Sequence, residues 1–247
     1  VKFPRWPFDK FTKADRTLGT KMKATGEVMS IGGSFEAALQ KAVRSLELNI
    51  HSMEWRRGPA LTDEQVVQAL HTQDDERIFC VAEALRRGVS YDTIHDITKI
   101  DRWFLDKLHH IVAQEEAVKQ QGFGYLTPET MKQLKRLGMA DKAIAGWVGK
   151  TEPEIRALRK QWGVLPAYKM VDTCGAEFDA VSPYYYSTYE EENEAHKSEH
   201  KTVVVLGSGP IRIGQGVEFD YCSVHCIWAL KKAGYDTVII NNNPETV

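Results

Sequence analysis

Apolar side chains recur at helical spacing through the middle of this chain. Between about His51 and Tyr168 they stand three and four positions apart, which is the spacing of one helix face. Ser, Thr or Asp precedes several of these groups, and Gly follows most of them. The pattern predicts about seven short helices in a compact α-helical domain. They cover residues 63–71, 78–85, 90–98, 101–121, 127–137, 141–148 and 152–162.

Local signals fix several of these helix starts. Thr62 with Gln65 has the spacing of a capping box, and Thr127 precedes a proline at the first helical position. Asp101 is the predicted N-cap of the longest helix, which Gly122 stops. The apolar face of that helix is predicted to consist of Phe104, Leu108, Ile111, Val112 and Val118.

The amino-terminal part combines a basic segment with one more helix. Residues 1–23 carry seven cationic and two anionic side chains, which predicts a solvated basic surface or a patch that meets an anion. Its prolines and aromatics predict an extended segment pinned onto a body that is not obvious in this chain. A short strand over Val28–Ile31 follows, and then a helix that Ser34 caps and that ends near Asn49.

In the last part of the chain the apolar residues no longer follow helical spacing throughout, and short β-branched runs flank a glycine-rich loop and a helix. A β-branched run, Thr202–Leu206, leads into the glycine-rich loop Gly207–Gly216, a helix over about Val217–Ala233 and a second run, Thr237–Ile240. This order predicts one βαβ unit with a right-handed crossover. A single such unit cannot cover both faces of its strands, so we expect a longer protein to continue beyond Val247.

The stretch from residue 169 to residue 201 is polar and predicted to be irregular. It contains three consecutive tyrosines, from Tyr184, and an acidic run, Glu190–Glu194. His196 and His200 are predicted to be exposed there.

Composition excludes several classes of protein. Of 247 residues, 43% are hydrophobic and 27% charged, and the net charge of −2 gives no reason to expect nucleic acid or a membrane surface as partner. No run is long and apolar enough for a spanning helix, and no signal peptide begins the chain. Four cysteines do not suggest a disulfide framework, which favours a cytoplasmic protein.

No metal site is predicted. Cys222 and Cys226 flank His225, but their spacing is not that of a zinc knuckle and no second ligand pair is evident. The two cysteines are expected to be small, semi-buried residues on one helix face.

A dinucleotide site is also disfavoured. Gly207 and Gly209 follow a strand, but Arg212 stands where a third glycine belongs, and Asn241 and Asn242 stand where an acidic residue would. The loop glycines would instead let the backbone approach a ligand or another domain closely.

Residues 141–158 leave a second hypothesis open. Two short helices meet at a glycine turn, as in a helix-turn-helix, and the second carries Arg156, Arg159 and Lys160. Glu152 and Glu154, however, stand where base-reading residues belong. The alternative function is therefore a helical binding module that would bind DNA.

Several separated stretches together carry a family resemblance. They are FPRW from Phe3, KATGEVMSIG from Lys23, IDRWFL from Ile100, QLKR from Gln133, VDTC from Val171, YSTYE from Tyr186, GPIRIGQGVEFDY from Gly209 and NPETV from Asn243. In this order they resemble the large subunit of carbamoyl phosphate synthetase over essentially the whole chain. The family commonly has Arg where Gly33 stands here, so a bidentate donor is missing at that point.

The resemblance implies a mainly α fold: a compact helical oligomerization domain followed by a truncated α/β (βαβ, Rossmann-like pre-ATP-grasp) unit. Residues 1–50 would be the end of the carboxyphosphate-forming ATP-grasp half, and residues 51–185 the oligomerization domain. Residues 186–201 would be an acidic linker, and residues 202–247 the start of the carbamoyl-phosphate-forming half.

The resemblance also implies chemistry. The parent would be a ligase of arginine and pyrimidine biosynthesis, making carbamoyl phosphate from bicarbonate, glutamine-derived ammonia and two ATP. ATP and Mg²⁺ (or Mn²⁺) would be its cofactors, bound outside this chain, so no catalytic, cofactor or metal residue is expected here and the isolated chain should be inactive. Its partners would be a glutaminase small subunit and, through the helical domain, a second copy, without nucleic acid or membrane.

Four residues are implied to line an internal passage for unstable intermediates: Arg212, Gly216, Glu218 and Glu245. Gly216 would keep the passage open because it lacks a side chain, and the two glutamates would offer hydrogen-bond acceptors. A structural alternative for Glu218 is a first-turn carboxylate that the helix dipole favours.

Overall fold

The computed structural model describes residues 1–179 and 181–242. In that part of the chain the helices are α1 (Phe35–Ser45), α2 (Asp63–Ala69), α3 (Arg77–Arg86), α4 (Tyr91–Thr98), α5 (Arg102–Gln121), α6 (Pro128–Arg136), α7 (Asp141–Trp147), α8 (Glu152–Gln161) and α9 (Glu218–Lys232), with short 3₁₀ turns at Gly58–Ala60 and Gly122–Tyr125. The strands are β1 (Lys2–Arg5), β2 (Gly26–Met29), β3 (Ala167–Met170), β4 (Tyr185–Thr188), β5 (Thr202–Leu206) and β6 (Asp236–Ile240). The mainly α fold with a small α/β unit is confirmed.

The core surrounds α5. This helix buries Leu108, Ile111, Val112 and Val118 among the side chains of the helices around it, as predicted. Phe104 is the exception: the prediction placed it in the core, but it is 43% exposed because the neighbouring Leu105, fully buried, takes the inward position.

Helix α1 ends earlier than predicted. It stops at Ser45 rather than near Asn49, and Leu46 is its C-cap. Glu47 and Asn49 both have φ of 57°, in the left-handed region that a continuing helix cannot use. The chain therefore turns away from the helix axis at Glu47.

The amino-terminal segment packs on this chain's own core. Strand β1 pairs antiparallel with β2, with Lys2 opposite Met29. Phe3 and Val28 belong to the same hydrophobic cluster as the helices. The body that the sequence left unidentified is therefore this chain's own helical core. Arg16 is paired with Asp75 at 2.8 Å, so part of the basic charge is neutralised internally.

A β-hairpin interrupts the stretch predicted to be irregular. Strands β3 and β4 pair antiparallel, with Ala167 opposite Thr188. After β4, Tyr189 packs against the helical core, between the cationic side chains of Lys135 and Arg159. His196 and His200 are exposed, as predicted.

The predicted βαβ unit is confirmed. Strands β5 and β6 are parallel, with Thr202 opposite Asp236, and α9 connects them. Gly234, at φ 85°, ends the helix before β6. Across residues 1–179 and 181–242, no helix combines the length and apolar character that a membrane span requires.

Candidate functional site

The glycine-rich loop between β5 and α9 lies against the amino-terminal segment. Ile211 sits directly over Gly26 at the start of β2: a Cβ at Gly26 would come within 2.3 Å of its Cγ2 atom. Any side chain larger than hydrogen at position 26 would push this loop away. A residue in the first strand pair thus fixes the position of a loop that begins about 180 residues later.

Glu47 makes the second contact with this loop. Its carboxylate accepts a hydrogen bond from Nη2 of Arg212 and forms an ion pair with it. The same carboxylate lies over Gly209, where a Cβ would come within 2.4 Å of Oε1. Gly209 has φ of 76°, so both its conformation and its contact favour glycine.

A third contact joins the end of β6 to β2. The amide of Met29 donates to the carbonyl of Asn242 at 3.0 Å, and Nδ2 of Asn242 lies 3.3 Å from the carbonyl oxygen of Glu27. Asn241 and Asn242, which argued against a dinucleotide-binding site, thus make structural contacts. Asn242 attaches the βαβ unit to the amino-terminal strands, while Asn241 lies over Gly207.

Gly216 and Glu218 meet at the amino-terminal end of α9. Oε1 of Glu218 accepts a hydrogen bond from the amide of Gly216 at 2.8 Å, which lowers the pKa of this carboxyl. This is the first-turn arrangement expected of a carboxylate at a helix start. Gly216 does not have positive φ, and a Cβ there would meet only the mobile end of the Glu218 side chain, at 2.8 Å.

Arg212 and Gly216 thus lie in the loop and Glu218 begins the helix that follows it, while Glu245 lies outside the described residues. Glu47, which binds the guanidinium of Arg212, is not among the residues that the sequence indicated. No sequence signal marks that residue, because its contact spans 165 positions and its left-handed backbone is not at a glycine. The role of these residues in a passage stays a prediction.

The cysteine pair on α9 is more exposed than predicted. Cys222 and Cys226 are both exposed rather than semi-buried, because the face of α9 that carries them points away from β5 and β6. The ring of His225 lies between Tyr221, at 3.9 Å, and Trp228, at 4.9 Å. In the described ranges no group of three or more His, Cys, Asp or Glu side chains could hold a metal ion.

The helix-turn-helix pattern corresponds to α7 and α8, but a residue proposed to contact DNA is not available. Arg159 is 6% exposed, and its Nε donates to Asp141 at 2.7 Å. Glu154 completes a capping box with Thr151 at the start of α8. The second helix therefore presents a carboxylate at its first turn, and only Arg156 and Lys160 of the three basic side chains are exposed.

Comparison with known proteins matches two domain families in the order of the fold. Residues 27–163 match the carbamoyl-phosphate synthetase large chain, oligomerisation domain, and residues 199–247 match the carbamoyl phosphate synthase preATP-grasp domain. The first match covers the helical body, and the second covers the βαβ unit.

Three curated relatives from different bacteria share the same name. Carbamoyl phosphate synthase large chains of Clostridium perfringens and of Thermoanaerobacter sp. are 54% and 52% identical over 247 residues. That of Lachnoclostridium phytofermentans is 53% identical over 249 aligned positions. Each alignment covers 100% of this chain and 23% of the relative, so the chain spans about a quarter of the relatives' length. The chain belongs to the carbamoyl phosphate synthase large-chain family.

Proposed function

We propose that this chain is the central part of the large chain of a glutamine-hydrolysing carbamoyl phosphate synthase. Its helical body, residues 51–185, would self-associate, and its two ends, residues 1–50 and 202–247, would belong to the two synthetase halves. The glycine-rich loop and Glu47 would form part of the wall of a passage between those halves. A glutaminase small subunit would be the partner of the whole enzyme.

The direct contact between the two ends of the chain supports this proposal most strongly. Glu47, in the segment assigned to the first half, binds Arg212, in the segment assigned to the second. Both side chains are partly exposed, at 42% and 49%, so the pair lies at a surface that solutes can reach. A passage that links two halves would need wall residues from both, and with the proposed division of the chain this pair would contribute one from each.

Hydrogen bonds and close packing join α1 to α6 of the helical body, as a bridge between the two synthetase halves would require. Nε2 of Gln40 on α1 donates to the carbonyl of Leu137, 2.9 Å away at the end of α6, and Arg44 donates to the carbonyl of Gly138. Gly138, at φ 89°, lies so close to α1 that an added Cβ would come within 2.9 Å of the α-carbon of Ala37. The helix that precedes Glu47 is thus fixed to the end of α6 by hydrogen bonds and close packing.

No step of ATP chemistry is assigned to the described residues. In enzymes that transfer phosphoryl groups, Mg²⁺ and cationic side chains around the phosphates supply most of the catalysis. The cation within the loop, Arg212, is already paired with Glu47. We therefore propose that the isolated chain makes no carbamoyl phosphate, and formation of that product from ATP, bicarbonate and ammonia by the 247-residue chain would contradict this.

The passage is tested by Gly216→Phe in the intact large chain with its small subunit. The backbone at Gly216 accepts an L-residue, and the nearest obstacle is a flexible carboxylate, so the variant should fold. The rate of glutamine-dependent synthesis should fall about ten-fold or more, which corresponds to an increase of roughly 1.4 kcal/mol in the activation free energy of the rate-limiting step. Glutamine hydrolysis and ATP formation from carbamoyl phosphate should change much less.

Gly216→Ala is the matched control, because a methyl group leaves most of the space open. It should retain synthesis close to the parent level. If Gly216→Phe lowers all three reactions equally, the loop acts through folding and the passage assignment is wrong.

The DNA-binding alternative gains no support from the structure or the comparisons. Both matched families are domains of a synthase, and Arg159 is engaged with a buried carboxylate. A salt-dependent mobility shift of duplex DNA by this chain would be needed to revive it.

A further inference from the structure

Residues 189–194, which we call the strap, lie between β4 and the βαβ unit and are anchored by one aromatic side chain. The ring of Tyr189 lies between two cations, with Nζ of Lys135 5.0 Å and Cζ of Arg159 5.6 Å from its centroid. Both cations are only 6% exposed, and both bind the carboxylate of Asp141. A cation is attracted to an aromatic face more strongly where water is excluded, so Tyr189 is the main anchor of the strap.

The strap also covers the free edge of β3. Oδ1 of Asn193 accepts a hydrogen bond from the amide of Tyr168 at 2.9 Å, and the amide of Glu194 donates to the carbonyl of Tyr168 at 2.8 Å. Oε2 of Glu194 accepts from the amide of Met170 at 2.7 Å. An uncovered strand edge leaves such backbone groups without a protein partner. The strap therefore takes the place of a third strand beside the hairpin.

The carboxylates of the strap add weaker contacts. Glu191 pairs with Lys132 of α6 at 2.9 Å, but its side chain is 73% exposed. Glu192 lies 3.2 Å from Lys169 of β3, and its side chain is 81% exposed. Exposed ion pairs of this kind contribute little and are screened by salt. The acidic run thus orients the strap, while Tyr189 holds it in place.

Open space lies on both sides of the strap. A cavity of about 580 Å³ is lined by the strap, the start of α6 and the turn after α8. Another, of about 650 Å³, is lined by the strap, α1, α5 and the end of α6. Segments that lose few apolar contacts are the ones that open locally. Release of the strap therefore breaks mainly the contacts of the Tyr189 ring and the hydrogen bonds to β3.

We propose that the strap is a reversible tether, which opens as one unit and controls how closely the βαβ unit follows the helical body. While the strap is docked, the connection to β5 runs through residues 195–201 alone. Release extends that connection to residues 189–201 and adds up to about 20 Å of reach, since an extended chain advances roughly 3.3–3.6 Å per residue. The βαβ unit then keeps its contacts with the amino-terminal strands but is no longer held through β3 and Tyr189.

The test uses the 247-residue chain and a protease that cleaves after glutamate. The strap offers cleavage sites at Glu190, Glu191 and Glu192; the exposed Glu199 lies outside it, and Glu115, 0% exposed on α5, reports global unfolding. When opening and closing are fast relative to cleavage, the cleavage rate follows the population of the open state. In the parent chain the strap bonds should be cut about ten-fold or more slowly than the bond after Glu199.

Tyr189→Leu keeps an apolar side chain but removes the ring that both cations contact. It should raise the cleavage rate after Glu190, Glu191 and Glu192 about ten-fold, and by the same factor at all three sites, because the strap opens as one unit. Tyr189→Phe is the matched control: it keeps the ring, so strap cleavage should stay within about two-fold of the parent rate. Cleavage after Glu199 should change in neither variant.

Asn193→Ala tests the docking of the strap on β3 independently. Asn193 is exposed, so the variant should fold, and loss of the Oδ1 acceptor should raise strap cleavage about three-fold. Thermal unfolding checks each variant, and if Tyr189→Leu does not fold, Asn193→Ala carries the test.

Four results would each overturn the proposal. Strap bonds that are cut as fast in the parent chain as the bond after Glu199 would mean that the strap is not docked. Strap cleavage that the folded variants Tyr189→Leu and Asn193→Ala leave unchanged would mean that these side chains do not hold it. An equal acceleration after Glu115 would mean that Tyr189 acts through global stability, and acceleration at a single strap bond would mean that the segment does not open as one unit.

Discussion

Glu47 binds Arg212 across 165 residues of sequence. The first residue stands where α1 ends, in a left-handed conformation, and the second stands in the loop before α9. The left-handed turn directs the Glu47 carboxylate toward that loop, where it also covers Gly209. One side chain thus connects the end of a helix, a glycine that must remain a glycine, and a cation of the candidate passage.

Glu47→Ala should loosen the loop without unfolding the chain. The two side chains are nearly half exposed, and exposed ion pairs contribute about 0–1 kcal/mol to stability. Local opening of residues 209–216 should become roughly five-fold more frequent, because the free energy of opening should fall by about 1 kcal/mol. Hydrogen exchange of the loop amides, followed by mass spectrometry, measures this directly.

Glu191→Ala is the control for Glu47→Ala. It removes another exposed pair, Glu191 with Lys132 at 2.9 Å, which joins the segment after β4 to α6. Exchange in the loop should then match the parent chain. If both variants raise loop exchange equally, the loop is not held by Glu47.

Asp141→Ala should destabilise the helical body far more than removal of an exposed carboxylate does. Asp141 is 9% exposed and accepts from Lys135 and from Arg159, both at 2.7 Å. The variant leaves two buried cations without their carboxylate, and breaking such an arrangement costs about 3–5 kcal/mol. The free energy of unfolding in urea at neutral pH measures the loss.

Asp92→Ala gives the comparison for Asp141→Ala. Asp92 binds Arg102 at 2.7 Å as well, but their side chains are 77% and 52% exposed. Loss of the Asp92 carboxylate should lower the free energy of unfolding by about 1 kcal/mol or less, because water already solvates both charges. Similar losses in the two variants would mean that burial does not determine the strength of these pairs.

Helix starts could be predicted from the sequence because their signals are local. Ser34, Thr62 and Ser90 each accept a hydrogen bond from a backbone amide three residues later, as their positions in the sequence indicated. The βαβ unit was equally readable, since its two β-branched runs and the glycine loop lie within about 40 residues.

Contacts between distant segments could not be predicted in this way. The β3–β4 hairpin consists of two strands of four residues separated by a long polar turn, and neither strand has a clear alternation of polar and apolar residues. Leu105 rather than Phe104 is buried in the core, and this depends on how α5 is rotated about its axis relative to the neighbouring helices. The pairing of Glu47 with Arg212 likewise depends on how two ends of the chain pack.

Lys41 should make stability depend on pH above neutrality. Its Nζ donates to the carbonyls of Ile31, at 2.6 Å, and Ser187, at 2.7 Å, and joins α1 to β4. Burial lowers the pKa of Lys41 to about 8, with a smaller effect in the same direction from Arg44. A lysine in the unfolded chain titrates near about 10.4, so between these values the unfolded chain binds more protons.

The free energy of unfolding should therefore rise with pH from about 8 toward 10, with a slope of at most about 1.4 kcal/mol per pH unit for one group. Below about pH 8 the charged ammonium is present in both states, and the slope from this group vanishes. Lys41→Gln keeps a hydrogen-bond donor but cannot titrate, so urea unfolding at several pH values should give it a smaller slope than the parent. Lys135, whose pKa burial also lowers to about 8, is present in both proteins and cancels in the comparison. Equal slopes in parent and variant would mean that Lys41 keeps its proton throughout this range and that the carbonyls of Ile31 and Ser187 compensate fully for its burial.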